Sequence, residues 1–148
     1  MDELKAALNI CIANTWIMYF KAHTYHWNVE GKDFSQHHTF FGDLYEELFD
    51  AVDVAAEQMR GQDDYAPVST KELIEFSTIV EDEDKPSDVM EMFSNLVDAN
   101  SKTLDSLNKL MELALSEKKQ GLANFAADRI DVHTKHGWML RSHLKGND

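Results

Sequence analysis

Four side chains of the types that bind metal ions lie within one stretch of the sequence. His26 opens the segment His26-Trp27-Asn28-Val29-Glu30-Gly31, and His38, Asp53 and Glu57 follow it. Imidazole nitrogens and carboxylate oxygens are common ligands of divalent metal ions. Asp53 and Glu57 are four residues apart, so on a helix their carboxylates can converge on one cation. An acid pair alone more often marks a solvated helix face, but the two upstream histidines favour a metal site.

The helix that must position three of these side chains is predicted from Phe34 to Arg60. Its apolar and aromatic residues recur every three or four positions, as on a buried helix face: Phe34, Phe41, Tyr45, Leu48, Val52, Ala55 and Met59. At roughly 1.5 Å of rise per residue, His38 and Asp53 lie about 22 Å apart along this helix. Because one ion cannot bridge that distance, a site that uses both ends needs a second copy of the chain, related by a two-fold axis.

Three more long helices and one short helix are predicted around this one. The first runs from about Asp2 to Asn28, the third starts near Pro86-Ser87, and the fourth runs from about Leu122 to Leu144, with Gly61 and Gly121 ending helices two and three. The connection from Gln62 to Pro86 holds the short helix, begun by a capping box at Ser69 and Glu72. This order predicts an all-α protein, a ferritin-like four-helix bundle with a short extra helix in the long crossover between helices two and three. One domain covering residues 1–148 is expected from the length.

Composition and charge restrict the classes of function. The only cysteine, Cys11, excludes an internal disulfide and fits a reducing compartment. No apolar run is long enough to span a membrane, and the first residues lack the pattern of a secretory signal, so we expect a cytoplasmic protein. The net charge of −13 argues against binding to a phosphate backbone and favours cations as partners. The acidic run Glu81-Asp82-Glu83-Asp84 is expected to be solvated loop.

The motifs resemble those of the Dps-type mini-ferritins, the family named for DNA protection during starvation. The resemblance covers nearly the whole chain and rests on His26-Trp27-Asn28-Val29-x-Gly31-x-x-Phe34-x-x-x-His38-x-x-Phe41, Asp53-x-x-Ala56-Glu57 and His136-Gly137-Trp138-Met139-Leu140-Arg141. It implies hollow dodecamers that oxidise Fe²⁺, preferably with hydrogen peroxide rather than dioxygen, and store the ferric mineral. It also implies that His26 and His38 of one subunit, with Asp53 and Glu57 of its neighbour, are the iron ligands and carry the ferroxidase reaction.

The sequence departs from the family at one position of the site. The family usually has an acid four residues after the second histidine, where this chain has Gly42. Asp43 points about 100° away around the helix, and Glu46 lies one turn further along. We therefore expect one tightly held iron ion and a second position of weaker affinity. The Glu-x-x-His motif of di-iron bundles is missing from the sequence, which weighs against a classical ferritin.

Other histidines were candidates for metal binding or for structure. His23 with His26, and His133 with His136, are spaced three residues apart and could each hold a zinc ion. Two histidines rarely suffice for a site, and a structural role is favoured for His133 and His136.

Two aromatic residues and three acids have roles that the sequence leaves open. Trp27 and Trp138 are expected to fill the core, although the family resemblance also suggests electron donors close to the iron. Glu117, Asp128 and Asp131 could line an acidic three-fold pore.

Two rival functions remain open at this point. A nucleoid-compacting DNA binder usually has a lysine-rich tail, whereas the C-terminal segment Leu144–Asp148 offers one lysine, so DNA binding is not expected. A shell with a degenerate metal centre, acting only as a scaffold, is the other alternative because of Gly42.

Overall fold

The computed structural model describes residues 2–146 and consists of five helices. They are α1 (Glu3–Asn28), α2 (Phe34–Gly61), α3 (Thr70–Phe76), α4 (Val89–Ser116) and α5 (Gln120–Leu144). Helix α1 packs along α2, α4 packs along α5, and α1 also contacts α4 and the short helix α3. The predicted all-α bundle, with an extra helix in the crossover between the second and third long helices, is confirmed. None of these helices combines the length and the apolarity that a membrane span requires.

The core follows the predicted helical spacing most closely in α1. The residues of α1 that recur every three or four positions in the sequence are all buried: Leu4, Leu8, Cys11, Thr15, Met18, Ala22 and Tyr25. In α2 the stripe is shifted, because Leu44 and Ala51 are buried whereas Phe34 is exposed. Burial raises the pKa of the Cys11 thiol to about 12, which makes this cysteine a structural residue rather than a nucleophile.

The start of α4 lies later in the sequence than predicted. The helix begins at Val89 rather than near Pro86-Ser87. Asp88 caps it, because its side-chain Oδ1 accepts the backbone N–H of Glu91 at 2.9 Å. A side-chain acceptor at this position satisfies an N–H that has no partner within the helix, and this outweighs the tolerance of proline in a first turn.

The predicted break at Gly121 is wrong. Gly121 lies inside the first turn of α5, and the chain turns at Lys118, which has a φ of 59°. Two hydrogen bonds close the end of α4, from the N–H of Lys119 to the carbonyl of Ala114 (2.8 Å) and from the N–H of Lys118 to the carbonyl of Leu115 (3.1 Å). These are the bonds of a Schellman motif, and they offset the cost of a left-handed residue that is not glycine.

The crossover is fixed to the bundle by an acid that was expected to be solvated. Asp82 accepts a salt bridge from Lys21 at 2.7 Å and a hydrogen bond from the Tyr25 hydroxyl. The side chain of Lys21 is only 6% exposed. The acidic run is exposed loop, as expected, but Asp82 in it also serves as the anionic partner that the buried cation Lys21 needs.

Candidate metal centre

His26 and His38 come together at the start of the α1–α2 hairpin. Their rings stack with centroids 3.8 Å apart and planes 16° from parallel. Nδ1 of His26 lies 2.7 Å from the carbonyl oxygen of His38, and Nδ1 of His38 lies 2.7 Å from the carbonyl oxygen of His26. Since a carbonyl only accepts, both Nδ1 atoms donate a hydrogen, and Nε2 of each ring takes no part in these bonds. Such second hydrogen bonds orient histidine ligands in metal sites.

The turn between the helices produces this pairing. Helix α1 ends at Asn28, Gly31 adopts a φ of 96°, and Asp33 adopts a φ of 62° before α2 begins at Phe34. A φ of this sign is available to glycine without steric cost, so the tight reversal depends on Gly31. The aromatic ring of Phe34 then covers His38, with the ring centroids 5.1 Å apart.

Gly42 lies directly against the ring of His26. A Cβ atom at this position would be 3.1 Å from both Cε1 and Nδ1 of His26. The sequence showed that a carboxylate is missing here, but not that the space beside the backbone is taken by an imidazole. Asp43, the next residue, lines a cleft between α2 and α5 instead, which agrees with its predicted direction.

Asp53 and Glu57 lie on the exposed face of α2, far along the helix from the histidine pair. A hydrogen bond with Asp53, followed by the negative charge of Asp53, raises the pKa of Glu57. The two carboxylates are therefore neighbours, as predicted from their spacing. Their repulsion favours the binding of a proton or a cation between them.

Within one chain, the four predicted ligands do not form a single site. Among residues 2–146, no cluster of three or more histidine, cysteine, aspartate or glutamate side chains could hold a metal ion. One copy offers two imidazoles in one place and two carboxylates in another. Large apolar side chains are exposed on α1 and α2 in the regions of these groups: Phe20, Trp27, Phe34, Phe49 and Val54. Exposed apolar surface of this extent is typical of an interaction site.

The exposure of the two tryptophans contradicts the sequence-based expectation. Trp27 is 57% exposed and Trp138 is 60% exposed, so neither fills the core of this chain. Their apolar character suggested burial, but each lies on a helix face that no other helix covers.

A ring cluster that the sequence did not predict lies beside the histidine pair. His23 stacks face to face on Tyr45, with ring centroids 3.8 Å apart, and its Nδ1 is 2.8 Å from the hydroxyl of Tyr19. Burial, followed by the nearby charge of His26, lowers the pKa of His23. Spacing alone showed His23 only as a possible zinc ligand, because its aromatic partners come from positions that the pattern does not link.

A second polar cluster joins α2, α4 and α5, and Glu47 and Arg129 in it were also missed. Arg129 and His136 donate to the carboxylate of Glu47, and Arg129 donates to Nε2 of His133 at 2.9 Å. Asn100 accepts from His133 Nδ1 at 2.8 Å. Burial opposes ionisation of Glu47, but the bonds from His136 and Arg129 prevail and lower its pKa to about 2.

The environment of His133 and His136 supports the structural role favoured for them. Burial, and then the charge of Arg129, lower the pKa of His133 to about 3. This ring is therefore neutral, and both of its nitrogens are engaged in hydrogen bonds.

Comparisons with known proteins agree with this architecture. Residues 5–147 match the ferritin-like domain family. General stress protein 20U of Bacillus subtilis is 29% identical over 97% of this chain and 98% of its own length, and DNA protection during starvation protein 2 of Bacillus anthracis is 28% identical over 93% of each. The crystal structure of the Dps protein of Vibrio cholerae superposes with a TM-score of 0.91 at 30% identity, over 96% of this chain and 89% of that one. The chain thus belongs to the ferritin-like domain family, as a Dps-type mini-ferritin.

Proposed function

We propose that the protein oxidises Fe²⁺ and stores the ferric product inside a hollow shell of twelve subunits. Iron is the substrate, and hydrogen peroxide is the preferred oxidant over dioxygen. Each site would combine His26 and His38 of one copy with Asp53 and Glu57 of a two-fold-related copy. The observation that carries the proposal is that one chain prepares both halves of a ligand set but keeps them far apart.

The two halves are chemically complementary. The reciprocal Nδ1 bonds leave Nε2 of His26 and His38 as lone-pair donors. Asp53 and Glu57 bring negative charge that is not neutralised, which the raised pKa of Glu57 reflects. Two neutral nitrogens and two carboxylates would hold Fe²⁺ with little net charge and leave coordination positions for an oxidant. Bound there, iron supplies the redox chemistry, while the protein groups bind and orient it.

The apolar surface supports closure by a second copy. The rings of Phe20 and Trp27 lie edge to face, with centroids 6.3 Å apart, close to the histidine pair. Phe49 and Val54 flank the acid pair, and each is about half exposed. Antiparallel docking of two α2 helices would cover these residues and bring the acids of one chain to the histidines of the other.

The charge of the chain suits a shell for cations. Each subunit carries a formal charge of −13, so a closed shell would attract Fe²⁺ and repel nucleic acid. DNA protection in the family's name does not therefore imply direct DNA binding by this chain.

The test replaces Asp53 and Glu57 together with alanine. Fast Fe²⁺ oxidation, followed optically after peroxide addition, should be lost while circular dichroism stays helical, because both side chains are exposed. The matched control replaces Asp105 and Glu112, two exposed acids of α4, which removes the same charge and should leave oxidation intact. Unchanged kinetics in the first variant would show that the ligand assignment is wrong.

The mass of the assembly tests the shell independently. Twelve copies of a 17.0 kDa chain give about 204 kDa, which light scattering separates readily from a monomer or a 24-mer. A stable monomer at micromolar concentration would rule out the shared site as well as the shell.

A further inference from the structure

A network of hydrogen bonds fastens α5 to α2 beside an open cleft. The carboxylate of Glu47 on α2 accepts two bonds from the guanidinium of Arg129 (2.5 and 3.1 Å) and one from Nε2 of His136 (2.7 Å). The cleft has a volume of about 460 Å³, and its walls include apolar side chains from both helices: Phe40, Leu44, Val132 and Met139. Side chains that face a gap lose dispersion contacts, so the polar bonds carry much of the contact between α2 and α5.

The backbones of α2 and α5 stay further apart than those of the other neighbouring helices. Helix α2 packs along α1, α5 packs along α4, and the two pairs meet where α1 contacts α4. The α2–α5 side of the bundle can therefore widen about the α1–α4 contact without separating either pair. Such a movement has to break the bonds to Glu47.

The buried ring of His133 fits this network in one protonation state only. Its Nδ1 lies 2.8 Å from Oδ1 of Asn100, whose Nδ2 donates to the backbone carbonyl of His133 at 2.9 Å, so Nδ1 is the donor. Its Nε2 lies 2.9 Å from a guanidinium nitrogen of Arg129. Since a guanidinium only donates, Nε2 is the unprotonated acceptor. A proton on Nε2 would point at the N–H of Arg129.

We propose that this network is an acid-sensitive latch: when His133 takes up a proton from solvent on Nε2, Arg129 is expelled and α5 separates from α2. The latch consists of Glu47, Arg129, His133 and His136. These last groups, Arg129 and His136 on α5 with Glu47 on α2, are the charged and titratable groups that face His133, and α4 contributes the neutral amide of Asn100. Because Arg129 stays cationic, one carboxylate would have to balance two cations around a fully buried ring.

The proton affinities of the closed latch agree with this direction. Burial, and then the charge of Arg129, lower the pKa of His133 from 6.5 to about 3. Burial opposes ionisation of Glu47, but the bonds from His136 and Arg129 lower its pKa from 4.5 to about 2. The closed latch therefore excludes protons that the open form accepts. The equilibrium constant for opening should rise about tenfold per pH unit below 6.5, and about a hundredfold per unit below 4.5, where Glu47 also takes up a proton.

The movement acts on the helix that carries three of the proposed iron ligands. His38, Asp53 and Glu57 all lie on α2, so opening of the latch would change their position relative to α4 and α5. The latch itself needs no metal, and its test does not depend on the proposed function.

The experiment follows the opening with a thiol placed in the wall of the cleft. Leu44 lines the cleft and is only 5% exposed, so the introduced thiol of Leu44→Cys should react with dithiodipyridine, a disulfide reagent that works in acid, when the cleft opens. Rates in the assembled protein are divided by those of the same variant unfolded in urea at each pH. The corrected rate should rise about tenfold per unit from pH 6.5 to 4.5. The natural protein, in which Cys11 is the only cysteine, reports global unfolding and should stay unreactive.

Three substitutions added to Leu44→Cys assign the pH dependence to the latch. His133→Gln keeps an acceptor for Arg129 but cannot be protonated, so the rise between pH 6.5 and 4.5 should vanish. Glu47→Gln should reduce the rise below pH 4.5 from about a hundredfold to about tenfold per unit. The matched control, Asp43→Asn, removes an exposed acid of the same cleft and should leave both slopes unchanged.

The outcomes decide between a latch and general acid unfolding. An unchanged slope in His133→Gln would overturn the inference, and so would a rate at the introduced thiol that does not depend on pH. Parallel reaction of Cys11 in the natural protein would show that acid unfolds the whole bundle instead of opening the cleft. If His133→Gln does not fold, Glu47→Gln decides, because a slope that stays about a hundredfold per unit below pH 4.5 would equally overturn the inference.

Discussion

Substitution of Gly42 tests whether the missing carboxylate or the close contact with His26 controls the metal centre. A Cβ at this position lies 3.1 Å from Cε1 and Nδ1 of His26, so the imidazole must move by a few tenths of an ångström. That movement strains the 2.7 Å bond to the carbonyl of His38, which contributes about 0.5–1.5 kcal/mol. Loss of this contribution would weaken metal binding roughly 2- to 12-fold.

Two variants separate the effects of packing and charge. Gly42→Ala introduces the Cβ without a ligand. Alanine is more favourable than glycine inside a helix by up to about 1 kcal/mol, which should offset the strain and leave the free energy of unfolding nearly unchanged. Gly42→Asp adds the same Cβ together with a carboxylate one turn from His38. Relative to the alanine variant, it should tighten the second metal position by at least the roughly 10–100-fold that outer-shell partners contribute.

The assay is anaerobic calorimetric titration of the assembled protein with Fe²⁺. The natural protein should show one strong site per centre and a second that fills only at higher iron. Two equally tight sites in the natural protein would refute the reasoning about the missing acid. Binding of the first iron to Gly42→Ala with unchanged affinity would refute the importance of the contact with His26.

Three further predictions concern stability and partners. Asp82→Ala should lower the free energy of unfolding in urea by about 3–5 kcal/mol, because it removes the anionic partner of the buried Lys21. The neighbouring Asp84→Ala should change it by no more than about 0.5 kcal/mol. Equal effects of the two variants would show that the contact between Asp82 and Lys21 does not hold the crossover to the bundle. The lowered pKa of His133 means that the folded state binds fewer protons than the unfolded state. The contribution of His133 to the free energy of unfolding is therefore complete above the unfolded pKa of about 6.5. It is lost as the pH falls towards the folded pKa of about 3, and the free energy of unfolding then decreases by up to about 1.4 kcal/mol per pH unit. Stability that stays flat from pH 6.5 to 5 would argue against a neutral His133. Gel retardation at about 0.15 M salt should show no DNA complex, because 14 basic residues face 27 acidic ones; shifted DNA would reverse that conclusion.

Periodicity predicted the helices well because each buried stripe is a local property of its own segment. It predicted the helix ends poorly because the ends depend on competing backbone arrangements of similar free energy. At the end of α4, a Schellman closure with Lys118 in the left-handed region was preferred to a break at Gly121, three residues later. The α1 start was predicted to within one residue, since the side chain of Asp2 caps it directly.

The polar contacts between segments that are distant in the chain could not be predicted from the sequence. Arg129 and Glu47 are 82 positions apart, and Asp82 is 61 positions from Lys21. No local pattern distinguishes such partners from the other charged residues on the same faces. The candidate ligands could be chosen because their residue types are few and their spacing is specific, whereas the contacts of Tyr19 and His23 depend on which rings the fold brings together.

The division of the ligand set gives metal binding a particular thermodynamic consequence. His26 and His38 are held in place within one chain by two hydrogen bonds and a ring stack, so little further ordering is needed when an ion binds. Asp53 and Glu57 lie on the surface and repel one another until a proton or a cation intervenes. In the proposed assembly, neither half holds the ion well alone, so the free energy of metal binding becomes free energy of association between subunits, and association in turn raises metal affinity. The exposed aromatic side chains would provide the part of the association that does not depend on metal. The same interface would then both bring the ligands together and exclude water from the oxidation site.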